Sequence, residues 1–347
     1  MKVGILTVQV PFMTGGAEVL ATSLKRELVR RGCEADIISV PFKWYPPERL
    51  LDCMMMARLI DVEEVNGEKI DRVIALKFPA YFAPHPNKIL WMLHQHRQAY
   101  DLYGTPSSDL SQTDSGCKVA AEIKRWDDHF LPQSRAIYAI SQRVVARLSQ
   151  FNNIKAATLY PPLWAAEKLR CGKFDNYIFF PSRFDHLKRQ HLIVEALEQG
   201  PTNLRLVLSG QCDSVYGRSL LKRIESSPAR SRISVLGFVS EEEKLDLYAN
   251  CLAVYNGVYD EDYGYLTLEA FYAGKPVITH SDSGGPLEFV RQGENGYIVQ
   301  PDAEDLVKCL HEIAGNVDKV RDKGKMARRF IEQQDITWDH VVERLLS

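Results

Sequence analysis

Short β-rich runs alternate with helix-length amphipathic segments from one end of this 347-residue chain to the other. This pattern is typical of parallel sheets covered by helices, and it therefore predicts an α/β protein. The predicted strands of the first half are Val3–Val8, Ala35–Ser39, Arg72–Leu76, Lys88–Leu93 and Ala136–Ile140. Those of the second half are Tyr177–Pro181, Leu204–Ser209, Ile233–Leu236, Cys251–Tyr255, Pro276–Thr279 and Gly296–Val299.

The segment Tyr160–Gly172 interrupts this alternation. Its sequence, YPPLWAAEKLRCG, contains tandem prolines, which disfavour helix and strand alike. We interpret it as a linker, so that residues 1–163 and 174–333 form two domains, in line with the usual size of about 100–200 residues per domain. Ligands of such sheets bind beyond the carboxyl ends of the strands, so both sheets are expected to face a cleft between the domains.

Composition and charge exclude several classes of protein. Lys and Arg number 43 against 45 Asp and Glu, and this near-balance argues against a protein that binds nucleic acid. The seven cysteines are scattered without a CxxC pair, which indicates reduced thiols rather than a zinc site. No apolar run approaches the roughly 18–20 residues of a membrane span. The N-terminus resembles a buried strand rather than a signal peptide, so we expect a soluble, cytoplasmic protein.

One feature leaves contact with a membrane surface open. The segment Pro47–Ile60 carries a run of three methionines between two arginines, and the predicted first helix is rich in Lys and Arg. An amphipathic, basic face of this kind could dock peripherally on anionic lipid at the inner face of a membrane. The alternative is a methionine-filled core beside a solvated helix face.

Two short motifs could bind phosphate groups. Gly15 and Gly16 follow the first strand and open the first helix, where a ligand can approach the backbone and helix N–H groups are available to an anion. Arg183 and Lys188 follow the strand Tyr177–Pro181 and could converge on a diphosphate. Each motif has a structural alternative. The glycines could serve packing alone, and the two basic residues could belong to a solvated loop. The complete GxGxxG and GxxxxGK[ST] fingerprints are absent from the sequence.

The stretch 255–274, YNGVYDEDYGYLTLEAFYAG, carries the strongest signal. Glu261 lies on a loop and Glu269 about one turn into a helix, with Gly264 at the transition between loop and helix. The N–H groups of roughly Tyr265–Leu268 form a positive helix start between the two acids. This arrangement suits a nucleotide sugar, with amides on phosphate and acids on hydroxyls. The triplet 260–262 also spells the metal-binding DxD signature, but such triplets are common in loops and we expect no metal there.

The second half of the chain resembles the retaining glycosyltransferase family 4 (group 1 glycosyltransferases), whose members have the GT-B fold of two facing Rossmann-like domains. The family's E-x7-E motif matches Glu261 and Glu269, and it continues into EAFYAGKPVITHSDSGGPLEFVRQGENGYIV at 269–299. The Arg…Lys pair of the family matches Arg183 and Lys188. The resemblance is dense over 174–347 and patchier over 1–160.

Two further motifs extend the resemblance to both ends of the chain. The family's first-turn Gly-Gly-x-Glu matches Gly15, Gly16 and Glu18. The C-terminal ITWDHVVERLL is similar to the family's last helix, so residues about 334–347 are expected to pack back on the N-terminal domain.

The resemblance implies roles for the matched residues. Arg183 and Lys188 would neutralise the donor diphosphate, Glu269 would bind the ribose hydroxyls, and Glu261 would bind the hydroxyls of the donor sugar. The implied donor-binding residues are Gly15, Gly16, Arg183, Lys188, Phe238, Glu261, Tyr265, Thr267, Leu268 and Glu269. Among them, Phe238 would lie near the base, and backbone N–H groups near Thr267 and Leu268 would contact phosphate.

A third group of candidates closes the strand Lys88–Leu93. The family often places a histidine here, near the donor sugar; His94 fits that place as the first residue beyond the apolar run, with His96 as its rival. The implied catalytic residues are His94, Arg183, Lys188 and Glu261. The predicted acceptor-side residues are His96, Arg97, Tyr100 and Asp101.

The resemblance thus implies a retaining glycosyltransferase that uses a UDP- or GDP-sugar and needs neither metal nor cofactor. Its expected partners are the nucleotide-sugar donor and a sugar or lipid-linked glycan acceptor, in polysaccharide or glycolipid assembly. The alternatives are a nucleotide-sugar epimerase or a sugar phosphorylase of the same fold, and a non-catalytic nucleotide-sugar-binding subunit.

Overall fold

The chain folds into two compact units. The structure, a computed structural model, describes residues 1–12, 15–200 and 203–347. The first unit comprises Met1–Trp164 together with Ile336–Ser347, and the second comprises Ala165–Asp335. The point where the chain leaves the first unit lies inside the proline-rich segment 160–172, which also forms the 3₁₀ turn Ala166–Lys168.

The first unit is a parallel sheet with helices in the connections. Its elements are β1 (Lys2–Gln9), α1 (Gly16–Arg30), β2 (Glu34–Pro41), α2 (Arg49–Leu59), β3 (Glu64–Val65), β4 (Glu68–Lys69), β5 (Arg72–Ala75), β6 (Lys88–Met92), α3 (Asp114–Phe130), β7 (Ala136–Ala139), α4 (Gln142–Asn152) and β8 (Ala157–Thr158). The sheet order is β2-β1-β5-β6-β7-β8 with every pair parallel, while β3 and β4 form a separate antiparallel hairpin. Strand β1 is buried from Val3 to Val8, as expected for a strand covered on both faces.

The second unit repeats this architecture. Its elements are β9 (Tyr177–Pro181), α5 (Gln190–Gln199), β10 (Arg205–Ser209), α6 (Val215–Glu225), β11 (Ile233–Val235), α7 (Glu241–Asn250), β12 (Ala253–Asn256), α8 (Tyr265–Tyr272), β13 (Val277–His280), β14 (Gly296–Val299), α9 (Ala303–Gly315) and α10 (Val317–Glu332). The sheet order is β11-β10-β9-β12-β13-β14, and all pairs are parallel. The core forms where sheet residues such as Ile178 and Phe180 meet the helix residues Ile193, Leu306 and Leu310.

This strand order decides where a ligand can bind. From β9 the chain winds outward through β10 and β11, then returns to the other side of β9 and winds outward through β12, β13 and β14. The connections after β9 and β12 therefore diverge, which leaves a crevice at the carboxyl ends of these two strands. The loop that carries Arg183 and Lys188 follows β9, and the loop that carries Glu261 follows β12.

The last helix, α11 (Trp338–Leu346), belongs to the first unit. Its Asp339 pairs with Arg31 at the end of α1, and the carbonyl of Leu345 accepts a hydrogen bond of 2.9 Å from the buried Arg72. Trp338 lies edge-on to Trp91 with 6.4 Å between ring centroids. The end of the chain is thus anchored to the sheet of the N-terminal unit.

Most predicted strands are found within one or two residues of their expected ends. The largest differences are of two residues: β2 ends at Pro41 rather than Ser39, and β12 begins at Ala253 rather than Cys251. The reason at β12 is local, because the N–H of Cys251 donates to the Leu247 carbonyl and so completes the last turn of α7. Within the described ranges, no helix is both long and apolar enough to cross a membrane.

Candidate active site

The loop after β9 presents the predicted basic pair. The Gln190 side chain donates to the Arg183 carbonyl at 2.8 Å and holds the loop backbone, while the Arg183 side chain is exposed. Lys188 ends the 3₁₀ turn His186–Lys188, which Asp185 caps by accepting from the Leu187 N–H at 2.9 Å.

Lys188 and Glu261 meet although they lie 73 residues apart in the sequence. The Lys188 ammonium donates to Glu261 Oε2, and the two side chains are 21% and 28% exposed, so a ligand can reach both. The backbone of Glu261 is fixed by two further bonds, from its own N–H to the Ser283 carbonyl at 2.9 Å and from the Gly285 N–H to its carbonyl at 2.8 Å. The structure therefore brings together two of the predicted catalytic residues.

Glu269 is held from both sides by the neighbouring helix α7. Lys244 Nζ lies 3.1 Å from one carboxylate oxygen, and the hydroxyl of the buried Tyr248 donates to the other at 2.6 Å. Burial tends to lower the pKa of Lys244, but the charges of Glu269 and Glu241 outweigh it and raise that pKa above its ordinary value. Sequence reasoning missed this pair. The spacing of four residues that places Lys244 and Tyr248 on one face of α7 is a signal that could have found it.

The start of α8 requires a glycine. Gly264 has φ of +96°, and a Cβ here would lie 2.9 Å from the Pro286 ring. The Thr267 N–H donates to the Gly264 carbonyl at 2.9 Å, and its buried hydroxyl accepts from Asn256 at 3.0 Å. The Thr267 N–H is therefore used inside the first turn, and its contact with phosphate stays a prediction.

The N–H groups that remain for an anion lie one or two residues earlier. The first N–H groups of a helix have no acceptor within the helix itself, which here applies to Tyr265 and Leu266. The role of Leu268 in donor binding stays a prediction.

Arg189 joins three loops and was also missed. Its guanidinium makes two bonds to Asp282, of 2.7 and 2.9 Å, and donates to the carbonyls of Gly257 and Val258 at 2.8 and 2.7 Å. It therefore ties together the segments that follow β9, β12 and β13. Its sequence neighbourhood, HLKRQ, offers no spacing that distinguishes it from any basic loop residue.

The remaining candidates of the second unit stay predictions. Phe238 follows Gly237, which has φ of +68°, and its ring is 90% exposed and accessible to a base. Asp260 in the DxD triplet is only 8% exposed. In the part of the chain that the structure describes, no group of three or more His, Cys, Asp or Glu residues is arranged to hold a metal ion.

The glycine motif of the first unit is a capped helix start. Gly15 is the N-cap of α1, and its N–H donates to the Glu18 carboxylate at 2.8 Å. This capping bond gives Glu18 a structural function and uses the N–H that a phosphate would need at Gly15. Gly16 is the first residue of the helix, where its N–H has no acceptor within α1.

The two histidines after β6 lie in different surroundings. His94 is half-buried, with Nδ1 2.6 Å from the Gln95 carbonyl. The His96 ring packs against Phe78 with 4.9 Å between centroids, and its buried Nε2 has no hydrogen-bond partner among the described residues. Burial, together with the positive charges of His94 and Lys77, lowers the pKa of His96 to about 3, so His96 is neutral at physiological pH.

The other predicted acceptor-side residues take part in buried interactions. Arg97 pairs with Asp101 at 2.8 Å, and Asp101 is also 3.3 Å from Arg147. The Tyr100 hydroxyl donates to the buried Asp127 at 2.7 Å. The Tyr100 hydroxyl and Asp101 Oδ2 thus bond to groups within the first unit, whereas the buried Asp101 Oδ1 has no hydrogen-bond partner among the described residues. The acceptor-side role of Tyr100 and Asp101 stays a prediction.

Solved structures similar to this chain identify its fold. Sucrose-phosphate synthase from Thermosynechococcus elongatus matches with a TM-score of 0.81 at 16% sequence identity, covering 99% of this chain and 97% of that one. Anabaena Alr3699/HepE in complex with UDP-glucose matches with a TM-score of 0.72 at 16% identity, covering 99% and 98%. Together with the two parallel sheets, these similarities confirm the predicted GT-B fold.

The second unit also matches a family model. Residues 166–334 match the sequence model of the family described as glycosyl transferases group 1. Alpha-1,3/1,6-mannosyltransferase ALG2 of Dictyostelium discoideum is 29% identical over a stretch that covers 41% of this chain and 38% of that protein. The chain thus spans well under two thirds of the length of that relative. The matched part of the chain is thus similar to known glycosyltransferases.

Proposed function

We propose that the protein is a retaining glycosyltransferase, which moves a sugar from a nucleoside diphosphate sugar to an acceptor hydroxyl. The observation that carries this proposal is the pairing of Lys188 with Glu261 at the divergent strands β9 and β12, beside the start of α8. A cation, an acid and unpartnered helix N–H groups at one edge of a sheet suit a ligand with both phosphate and hydroxyl groups.

The cations and the helix start would stabilise the leaving group. Negative charge grows on the diphosphate as the bond between the anomeric carbon and the phosphate oxygen breaks. Lys188, the exposed Arg183 and the N–H groups of Tyr265 and Leu266 would bind that charge, and such stabilisation lowers the barrier most where water is excluded. Because Lys188 is paired with Glu261 in this structure, a bound diphosphate would replace Glu261 as the anionic partner of Lys188.

The two acids would orient the donor through its hydroxyl groups. Glu269 would accept from the ribose hydroxyls and Glu261 from those of the sugar. In the retaining reaction the acceptor oxygen attacks from the face that the diphosphate leaves, so a new bond to oxygen forms at the anomeric carbon with the same configuration. The departing phosphate oxygen takes the acceptor proton, and this proton transfer needs no metal ion. Of the two histidines we propose His94 for the catalytic role that the resemblance implies, because the His96 Nε2 is buried and its ring packs against Phe78.

For the donor we propose a UDP- or GDP-sugar, and UDP-glucose is the first to test because a structural neighbour is a complex with it. For the acceptor we propose a sugar or a lipid-linked glycan, in polysaccharide or glycolipid assembly on the cytoplasmic side of a membrane. A thermal-shift screen with UDP, GDP, ADP and their sugars tests the donor, because a ligand that binds the folded state raises its apparent stability.

Activity measurements on variants test the site. Lys188→Ala and Glu261→Ala are expected to lower donor turnover by about 100-fold or more while the fold persists. Lys308→Ala is the matched control, since this lysine is 64% exposed on α9 and its ion pairs are surface pairs. Normal turnover in both site variants would contradict the assignment. Product analysis then separates transfer to an acceptor from epimerisation of the donor and from phosphorolysis.

A further inference from the structure

A cavity of about 340 Å³ lies in the second unit, away from the candidate active site. Its lining residues are Cys171, Phe174, Gly274, Arg321, Lys325, Arg328, Arg329 and Glu332. Gly274 directly precedes the segment that leads into β13, so the cavity lies near the amino ends of the strands. The candidate active site lies at their carboxyl ends.

The cavity is strongly basic in a chain that is not. Four of its eight lining residues carry a positive charge and one carries a negative charge. The helix that supplies most of them, α10, has six Lys or Arg residues against three Asp or Glu residues, whereas the whole chain has a formal net charge of −2. A local excess of positive charge around a concave surface attracts anions.

The cations of the cavity differ in how firmly they are held. Arg328 donates to the Tyr272 carbonyl and pairs with Glu332, so it has a structural function. Among the residues that the structure describes, Arg321 and Lys325 pair with acids one turn earlier on the same exposed helix face, at 3.0 and 2.8 Å. Exposed pairs of this kind contribute about 0–1 kcal/mol each, so an anion can replace the acids at little cost.

Arg329 is the cation most available to a ligand. It is exposed, and among residues 1–12, 15–200 and 203–347 no acid pairs with it. Its planar guanidinium can make two parallel bonds to phosphate oxygens, as can that of Arg321.

The floor of the cavity is apolar but lies above a buried positive charge. The ring of Phe174 has Lys275 Nζ 3.3 Å from its centroid and the Arg321 guanidinium 5.7 Å from it. Lys275 is fully buried and donates to the Lys173 carbonyl at 2.5 Å. A ligand that contacts both the cations of the cavity and the ring of Phe174 therefore has an anionic group and an apolar part.

We propose that this cavity binds a phosphate ester. Arg321, Lys325 and Arg329 would bind the phosphate, and the organic part would lie against Phe174. The volume is that of roughly ten water molecules at about 30 Å³ each, which is enough for a phosphate with a small organic group. The phosphate ester is either a free metabolite or the head group of an anionic lipid. The proposal depends on the second unit alone and not on the transfer reaction.

The test uses as its parent the protein with Arg183→Ala and Lys188→Ala, which lacks both side-chain cations of the candidate donor site and therefore binds phosphate more weakly there. In this parent, Arg321→Gln with Arg329→Gln removes two charges from the cavity. Lys308→Gln with Lys319→Gln is the control, because it removes two charges from exposed lysines that do not line the cavity. Circular dichroism and thermal unfolding check that each variant folds.

Two probes distinguish the sources of phosphate. Calorimetry measures the Kd of glycerol 3-phosphate, and co-sedimentation measures binding to phosphatidylcholine vesicles with and without phosphatidic acid. We expect at least one probe to bind the parent and the control alike, and to bind the cavity variant at least tenfold more weakly. Binding of vesicles alone identifies a lipid head group, and binding of glycerol 3-phosphate identifies a free ester.

The proposal is overturned if neither probe binds the parent, or if the cavity variant binds as well as the control. Donor binding by the unmodified protein is measured separately. Failure of the cavity proposal and failure of the proposed function are therefore distinguishable.

Discussion

The hydroxyl of Tyr248 offers a sharp test of how the second unit holds Glu269. Tyr248 is fully buried, and its ring packs edge-on against Phe179 with 5.1 Å between centroids. Burial and the neighbouring Glu269 raise the pKa of Tyr248 well above its usual value, so the hydroxyl stays protonated and donates to the carboxylate at 2.6 Å. Tyr248→Phe keeps the ring and removes only this bond.

The expected magnitude follows from the type of bond and its exposure. A hydrogen bond to a charged group contributes about 1.5–3 kcal/mol. The Glu269 side chain is 25% exposed, so water can partly replace the hydroxyl and the lower end of that range applies. A loss of about 1.4 kcal/mol corresponds to a factor of about 10 in an equilibrium constant. If Glu269 binds the donor ribose, the KM for the donor should rise about tenfold while kcat changes little.

The assay measures the donor KM, the kcat and the free energy of unfolding in urea for Tyr248→Phe, and compares them with the same quantities for Tyr177→Phe. Tyr177 is a matched control because its hydroxyl also donates to the segment of α7, at 2.8 Å, but to the Leu247 carbonyl rather than to Glu269. Tyr248→Phe is expected to lose about 1.5 kcal/mol of stability and Tyr177→Phe about 1 kcal/mol. Only Tyr248→Phe is expected to change the KM. An unchanged KM in Tyr248→Phe, or the same change in both variants, would refute the reasoning.

Two further predictions concern stability. Asp127 accepts hydrogen bonds from Tyr81 and Tyr100, and burial raises its pKa from 3.8 to about 7. The contribution of this shift to the free energy of unfolding is therefore fully present below about pH 4 and is lost as the pH rises through about 7. For three pKa units it amounts to at most about 4 kcal/mol. Urea unfolding should show this fall in the wild type and not in Asp127→Asn; parallel curves would contradict it. Gly264→Ala should lower the free energy of unfolding by about 1–3 kcal/mol, because the residue has φ of +96° and a Cβ there meets Pro286. Chemical unfolding measures this loss, with Gly315→Ala as the control because a Cβ there has open space. A loss no larger than that of the control would contradict the prediction.

Local patterns were enough to predict the class of fold and several partners in the candidate active site of the second unit. Alternation of strands and helices predicted the two parallel sheets, because the periodicity of apolar residues is a local property of the chain. The spacing of Glu261 and Glu269 around Gly264 correctly predicted a helix that begins between them. Placement of Lys188 after one strand and Glu261 after another predicted that they share an edge of the sheet, and the two side chains are paired.

Sequence reasoning did not find the internal partners of other candidate groups, because a polar group has a choice of partners. The Thr267 N–H, the Gly15 N–H and the Tyr100 hydroxyl could each have faced a ligand, but each bonds to a group of its own unit. Burial decides such choices, since a polar group removed from water must find an internal partner. A motif gives the identity of the residue and not the neighbours that compete for its hydrogen bonds.

The sequence by itself determined the alternation of elements, the proline-rich break in it at 160–172 and the residue types at the candidate site, because each depends on neighbours along the chain. Only the tertiary structure decided that Lys244 and Tyr248 hold Glu269, that Arg189 joins three loops, and that α10 lines a basic cavity. These arrangements depend on how helices pack across the sheet, and that packing brings together side chains whose separation in the sequence carries no signal.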